Sequence, residues 1–169
     1  MWVTMYTDAS YYDNRKEAGW AYWLKSDKGR IINKGVEKAE CSNVAELIAA
    51  LKGIEECIRS WPDTKGISIN SDNMSVVQGI YPDGPFYKNE NIRLLQLKIQ
   101  KLAKDSNIQL KSKYVRAHTG RNDSRSYINR RVDTLSKQVV KDHIRDNPVQ
   151  HERVLSFFER FKRFFDVSL

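Results

Sequence analysis

The sequence predicts an α/β domain with a mixed β-sheet and helices packed on it, followed by a C-terminal tail. The first observation is that residues 2–37 contain three strand-like segments joined by short polar turns, which predicts antiparallel neighbours. The second is that two later strand-like segments alternate with helical patterns, as in sheets that include parallel strands. The third is that an aspartate lies near the end of the first strand, Asp8, and another comes just after a later strand, Asp72.

The predicted elements follow one another without an internal repeat. The strand-like segments are residues 2–10, 19–24, 30–37, 66–70 and 108–117. Apolar residues at helical spacing predict buried faces on three long helices, formed by Val44, Leu47, Leu51, Ile54 and Ile58, by Ile92, Leu95, Ile99 and Leu102, and by Ile128, Val132, Leu135 and Val139. A short helix is expected over residues 75–80. We expect Asn43 to cap the first helix, which puts Glu46 at its third position, as in a capping box.

Composition indicates a globular domain, residues 1–145, with a tail, residues 146–169. Hydrophobic residues make up 40% of the chain and charged residues 30%, and no apolar run is long enough to cross a bilayer. No secretory signal is visible, and Cys41 and Cys57 lack metal-ligand spacing. We therefore expect a cytoplasmic, monomeric protein with reduced thiols and no membrane contact.

The net charge of +8 is concentrated in one stretch. Between residues 111 and 131, Asp123 alone opposes seven cations, which are Lys111, Lys113, Arg116, Arg121, Arg125, Arg130 and Arg131. Such a stretch can be a solvated face without a partner. Because Tyr114, His118 and Tyr127 lie among the cations, a surface that binds nucleic acid is the favoured interpretation.

Two strand-end aspartates raise the question of a metal site. A carboxylate at the end of an apolar strand is unfavourable unless a cation pairs with it, and parallel strands bring their carboxyl ends to one edge of the sheet. Glu46 and Asp133 could join Asp8 and Asp72 there. Taken singly, Glu46 and Asp72 could only cap helices, Asp133 could lie on the surface, and His118 could be a solvated loop residue.

An ordered set of motifs carries a family resemblance. The motifs are Tyr6-Thr7-Asp8-Ala9-Ser10, Asn43-Val44-Ala45-Glu46-Leu47, Asn70-Ser71-Asp72-Asn73-Met74, His118-Thr119-Gly120 and Asn129-Arg130-Arg131-Val132-Asp133. In order and spacing they resemble type 1 ribonucleases H over residues 2–142. The resemblance implies the RNase H-like fold, with a five-stranded mixed sheet, the first three strands antiparallel, and helices on both faces. It also implies metal-dependent cutting of the RNA strand in RNA/DNA hybrids.

The resemblance assigns roles to the acids. It implies that Asp8, Glu46, Asp72 and Asp133 bind two Mg²⁺ ions, for which Mn²⁺ could substitute. Two ions about 4 Å apart can activate a water and stabilise the leaving oxygen. We expect Asp8 to bridge them, with Glu46 and Asp72 on one ion and Asp133 on the other. His118 would assist proton transfer or product release.

Substrate contacts follow the family less closely. The resemblance implies that Asn43 touches the hybrid, and Asn129 stands one helical turn before Asp133. The expected basic contacts are Arg116, Arg121, Arg125 and Arg130. The basic insertion of some relatives is missing, and we expect a long arginine-rich loop from His118 to Asp133 to replace it. Another nuclease of this fold, such as a junction-resolving or strand-transfer enzyme, and a non-catalytic nucleic-acid-binding module are the alternatives.

The tail supports two interpretations. Val154, Phe158, Phe161 and Phe165 follow helical spacing, which predicts an amphipathic helix packed on the domain. The segments that begin at Val154 and Phe161 also resemble the hydrophobic part of sliding-clamp-binding motifs. In that second interpretation a clamp or other replication protein is bound by Val154, Leu155, Phe157, Phe158, Phe161, Phe164 and Phe165.

Overall fold

The computed structural model describes residues 1–85, 88–115 and 124–148, with the backbone alone at residue 125. Its strands are β1 (Trp2–Tyr12), β2 (Glu17–Ser26), β3 (Gly29–Lys38), β4 (Gly66–Ser71) and β5 (Gln109–Tyr114). Its α-helices are α1 (Ser42–Ser60), α2 (Met74–Gly79), α3 (Glu90–Asp105) and α4 (Ser124–Asp146), and a 3₁₀ turn, Asp13–Arg15, joins β1 to β2. Within those ranges, no helix has the length and apolar character needed to cross a membrane.

The sheet has the predicted mixed topology. Its strand order is β3-β2-β1-β4-β5. The two pairs formed by β1, β2 and β3 are antiparallel, whereas β4 runs parallel to both β1 and β5. The two-residue turn between Ser26 and Gly29 forces β2 and β3 to be antiparallel neighbours. The five-stranded mixed sheet expected from the sequence is therefore confirmed.

Helices cover both faces of the sheet, as expected. Side chains alternate along β1, so Val3 and Met5 join the larger core on the α1 side. Tyr6 points the other way and meets Trp23 edge-on, with 5.8 Å between ring centroids, in a smaller core completed by Val132 of α4. The buried surface of α1 is wider than the predicted stripe and includes Ala49, Ala50, Gly53 and Cys57. The helix packs against the sheet and also against α3.

The beginning of α1 corrects one expectation. The helix is capped by Cys41, without a side-chain hydrogen bond, so the prediction that Asn43 is the N-cap is wrong. Glu46 is consequently the fifth helical residue rather than the third. The side chain of Asn43 instead accepts a hydrogen bond of 3.0 Å from Asn73, which itself caps α2. A tertiary contact between two helix beginnings has replaced the local cap.

Other boundaries also moved. β1 runs on to Tyr12, because its two terminal tyrosines pair with Ala18 and Glu17 where a turn was predicted. The prediction of a loop from His118 to Asp133 is wrong from Ser124 onward, because Ser124 begins α4. Ser136 and Val140 are fully buried on α4 beside the predicted apolar positions.

Gly19 lets α4 approach the sheet closely. A Cβ at this position would overlap the backbone carbonyl oxygen of Ser136 and would lie 2.9 Å from the Cβ of Val140. The obstacle is helix backbone, which cannot move without shifting α4 as a whole. Gly19 therefore fixes the distance between β2 and the helix that carries Asp133.

We predict that Gly19→Ala lowers the free energy of unfolding by about 1–3 kcal/mol, the usual range for overpacking a core. Urea denaturation measures this change. Gly53→Ala is the matched control, because its Cβ would meet the movable Met5 side chain at 2.5 Å and alanine favours a helix by about 1 kcal/mol. Equal losses of stability in the two variants would contradict the special role of Gly19.

Candidate active site

Asp8 and Asp72 lie where β1 and β4 separate. Parallel pairing of the two strands ends at Tyr6 and Asn70, and each aspartate follows two residues later. Asp8 remains paired with Ala21 of β2 and therefore lies inside β1. The sequence had suggested a position at the end of the strand. The strand order explains the meeting of the two acids, because β1 and β4 are adjacent and parallel.

Three carboxylates converge at this point. One oxygen from each of Asp8, Glu46 and Asp72 lies within 4.8 Å of the other two. Asp8 is only 5% exposed and Glu46 only 8% exposed. Among the described residues, Oε2 of Glu46 is buried without a hydrogen-bond partner.

Burial and mutual repulsion disturb the acidity of the cluster. The pKa of Asp8 is raised from 3.8 to about 7. Burial is the largest cause, the hydrogen bond from Ser136 lowers the pKa, and the charges of Asp72 and Asp133 raise it. Burial, followed by the charges of Asp8 and Asp72, holds the pKa of Glu46 well above its usual value. The cluster therefore retains protons near neutrality unless a cation takes their place.

Asp133 stands slightly apart from the other three acids. Both of its carboxylate oxygens contact the ammonium group of Lys137, at 2.7 and 2.8 Å, one turn further along α4. Its charge nevertheless acts on Asp8 and Glu46. The structure thus brings Asp133 to the edge of the cluster, in an ion pair that the sequence analysis did not predict.

Ser136 is the second residue that the sequence analysis missed. Its fully buried hydroxyl lies 2.8 Å from Oδ2 of Asp8, to which it donates, and 2.9 Å from the carbonyl oxygen of Asp133. It therefore connects α4 directly to the central strand. The available signal was a polar residue three positions after Asp133, within the apolar face of a predicted helix.

The donor set fits a divalent cation. Three carboxylate oxygens are hard ligands of the kind that Mg²⁺ and Mn²⁺ prefer. Within the described residues Oε2 of Glu46 has no hydrogen-bond partner, and the pKa of Asp8 is raised; a bound cation would favour the charged form of both carboxylates. Asp8, Glu46 and Asp72 are therefore the residues that could hold a metal ion.

Only some of the other predicted site residues lie within the described part of the chain. Asn129 is buried on α4 one turn before Asp133, Asn43 is bonded to Asn73, and Arg130 is exposed. Arg116, His118 and Arg121 lie outside the described residues, and so does the side chain of Arg125. The predicted partner-binding positions from Val154 to Phe165 lie outside them as well.

We predict that, in EDTA, the protein loses stability as the pH rises from about 4 to about 7. The folded protein keeps the Asp8 proton up to a pH of about 7, whereas an unfolded chain releases it near pH 3.8, so folding becomes less favourable across that interval. The loss should reach a few kcal/mol, since one pKa unit corresponds to about 1.4 kcal/mol. Urea denaturation at several pH values measures it.

Two variants test the assignment of this pH dependence. Asp8→Asn should flatten much of the profile, and Ser136→Ala should extend the decline to higher pH by removing a hydrogen bond that favours the charged carboxylate. Asp105→Asn, on the exposed surface of α3, is the control and should keep the wild-type profile. A profile that rises with pH would contradict the prediction.

The chain is similar to known proteins over almost this whole structure. The RNase H family model matches residues 2–141. A Ribonuclease H of Campylobacter jejuni is 30% identical over 155 residues, which cover 88% of this chain and 98% of the relative, and a Ribonuclease HI of another strain has the same similarity.

Solved structures with the same fold are more distant in sequence. RNase H1 from the archaeon Halobacterium salinarum is 17% identical, with a TM-score of 0.67 over 84% of this chain and 99% of that one. LC11-RNase H1 in complex with an RNA/DNA hybrid is 17% identical, with a TM-score of 0.66 and the same coverage. Because the family match extends over all five strands and all four acids, this chain belongs to the RNase H family.

Proposed function

We propose that this chain hydrolyses the RNA strand of RNA/DNA hybrids with the help of divalent metal ions, leaving a 5′-phosphate on one product. The observation that supports it most is the convergence of three carboxylates, those of Asp8 and Glu46 buried and that of Asp72 half-buried. A structural relative, LC11-RNase H1, has been solved with an RNA/DNA hybrid. Curated relatives are named Ribonuclease H.

Asp8, Glu46 and Asp72 would hold the first Mg²⁺, and Mn²⁺ could replace it. When bound, such ions supply an activated water and neutralise charge on the phosphoryl group. The protein supplies rigidity, because Asp8 lies within a paired strand and Ser136 restrains one of its oxygens. Glu46 lies in the buried start of α1, and the backbone N–H of Ala9 in β1 donates a hydrogen bond to its carboxylate.

A second ion would be shared by Asp8 and Asp133. Lys137 occupies both oxygens of Asp133 in the structure, so this carboxylate would have to leave its ion pair before it binds metal. Lys137 is about half exposed, and rotation of its side chain into solvent is inexpensive, because surface ion pairs contribute at most about 1 kcal/mol. His118 would then assist proton transfer or product release.

Substrate would be held by amides and by the basic residues. Asn43 and Asn73 form a pair at the beginnings of α1 and α2, and an amide can recognise a 2′-hydroxyl as donor or acceptor. Asn129 would lie beside Asp133. We assign phosphate contacts to Arg116, Arg121, Arg125 and Arg130, which belong to the most basic part of the chain.

We predict that Asp72→Asn abolishes Mg²⁺-dependent cleavage of a labelled hybrid while the protein stays folded. The change removes a ligand charge at constant volume, and it relieves repulsion with Asp8 in the metal-free protein, so stability in EDTA should hold or rise. Cleavage assays and urea denaturation report the two effects, with Asp105→Asn as control.

The same assay separates the alternatives. The protein is incubated with Mg²⁺ and labelled RNA/DNA, DNA/DNA or RNA/RNA duplexes. We expect cutting only in the RNA strand of the RNA/DNA hybrid. Cutting of branched DNA would favour a junction-resolving enzyme, and binding without cutting would favour a non-catalytic module. Wild-type cleavage rates in Asp72→Asn would remove this residue from the ligand set.

We also propose that the tail recruits the enzyme to a sliding clamp or another replication protein. The family match ends at residue 141, before the paired phenylalanines begin. Phenylalanines at this density in the sequence would favour an apolar pocket of a partner over contact with water.

A protein that ends at Asn147 should keep its cleavage rate on short hybrids but lose binding to a bacterial sliding clamp, measured by surface plasmon resonance. The double change Phe157→Ala/Phe158→Ala in the full chain should have the same effect. Unfolding of the shortened protein, or undiminished clamp binding, would instead support a tail that packs on the domain.

A further inference from the structure

A broad groove lies between the β2–β3 hairpin and the first turns of α4, away from the four acids. Its volume is about 1110 Å³. Trp23 and Ile32 contribute apolar surface from the sheet, and Tyr127 and Ile128 contribute it from the helix. Its charged lining residues are Lys25, Asp27, Arg30, Arg130 and Arg131. Four cations and one acid give the groove a net charge of about +3.

The positive charge of the groove is not balanced within the described chain. Lys25 and Arg30 face each other directly across the β2–β3 pair, and like charges in that arrangement destabilise a sheet. Among the ion pairs formed by residues 1–85, 88–115 and 124–148, none includes either of them, and none includes Arg130 or Arg131. An anionic ligand would remove this repulsion.

An exposed aromatic ring accompanies the cations. Tyr127 is 57% exposed and precedes Arg130 and Arg131 by three and four residues on α4, so the three side chains lie on neighbouring parts of the helix surface. Aromatic rings next to cations are typical of surfaces that bind nucleic acids, where rings contact bases or sugars and cations contact phosphates.

The groove and the acids are at a distance that one duplex can span. Ala21, the partner of Asp8, and Lys25 are four residues apart on β2 and therefore lie on the same face. Four residues correspond to about 13 Å along a strand. A duplex advances about 3.4 Å per nucleotide, so the groove lies about four nucleotides from a phosphate held at the acids.

We propose that this groove binds the sugar-phosphate backbone of the hybrid about four nucleotides from the cleavage point. Lys25 and Arg30 are then determinants of substrate affinity in addition to the arginines of α4. This inference rests on the proposed function for the identity of the duplex. It implies that phosphates distant from the cut contribute to binding without taking part in the chemistry.

The test uses the full chain carrying Asp72→Asn, so that binding can be measured without cleavage. Lys25→Gln/Arg30→Gln is compared with Lys104→Gln/Lys141→Gln, which removes the same charge from exposed positions elsewhere. Fluorescence anisotropy gives the Kd of an 18-base-pair hybrid, a length of about one and a half duplex turns, at several salt concentrations.

The groove variant should bind the hybrid about fivefold more weakly, as expected when two exposed charge contacts are lost. The magnitude of its log-log salt slope should fall by about 1.8, or about 0.9 for each phosphate. The control variant should keep the wild-type slope. Urea denaturation should show undiminished stability for the groove variant, because the like-charge pair has been removed.

Neutral methylphosphonates locate the contact on the substrate. In a hybrid with one cleavage point fixed by sequence, neutralising a phosphate about four nucleotides away should weaken binding by the parent protein but leave the groove variant unaffected. Equal effects in both proteins, or equal losses in groove and control variants, would overturn the proposal. If the hybrid binds as expected but is never cut by the chain with intact Asp72, the proposed function fails while the groove assignment stands.

Discussion

The mutual repulsion of three converging carboxylates, two of them buried, is the constraint on which this structure depends. Asp8, Glu46 and Asp72 come together because two parallel strands separate between them and a helix begins beside them. The fold has to hold these acids together in spite of their charge, and it does so with a wide apolar core on one face and a closely packed helix on the other. A bound cation would remove this repulsion, so the free energy that the repulsion costs the fold would be recovered as metal affinity.

Helix α4 links the stability of the sheet to the chemistry of the site. It lies directly on β2 at Gly19, and from that position it presents Asp133, Ser136 and Lys137 toward the acids. A small displacement of this helix would therefore change the hydrogen bond to Asp8 and the position of Asp133 together. Close packing at a glycine is a way to position functional groups that come from distant parts of the sequence.

Much of this arrangement could be predicted from the sequence. The antiparallel pairing of β1, β2 and β3 followed from turn lengths, and the five-stranded mixed sheet followed from the family resemblance. The meeting of Asp8 and Asp72 was expected if their strands were neighbours, and β1 and β4 are adjacent and parallel. The cap at Asn43 was predicted wrongly, because local propensity cannot include Asn73, thirty residues away, as a competing partner.

Ser136 and Lys137 were missed for a related reason. The role of a buried serine in an apolar helical face cannot be predicted until the rotation of the helix and its contact with β1 are known. The regularity of apolar spacing describes which face is buried, but it does not reveal which polar atom on that face meets which carboxylate.

The distribution of charge explains how a basic protein can place acids at its centre. In the proposed function the carboxylate cluster alone would repel phosphates, whereas the cations of the groove and of α4 would attract the duplex from its flanks. A bound metal ion would make that centre attractive. Lys137 neutralises Asp133 in the structure, and a metal ion would compete with it for the same oxygens. On this view, hybrid binding and metal binding favour each other, because each ligand lowers the electrostatic free energy that opposes the other.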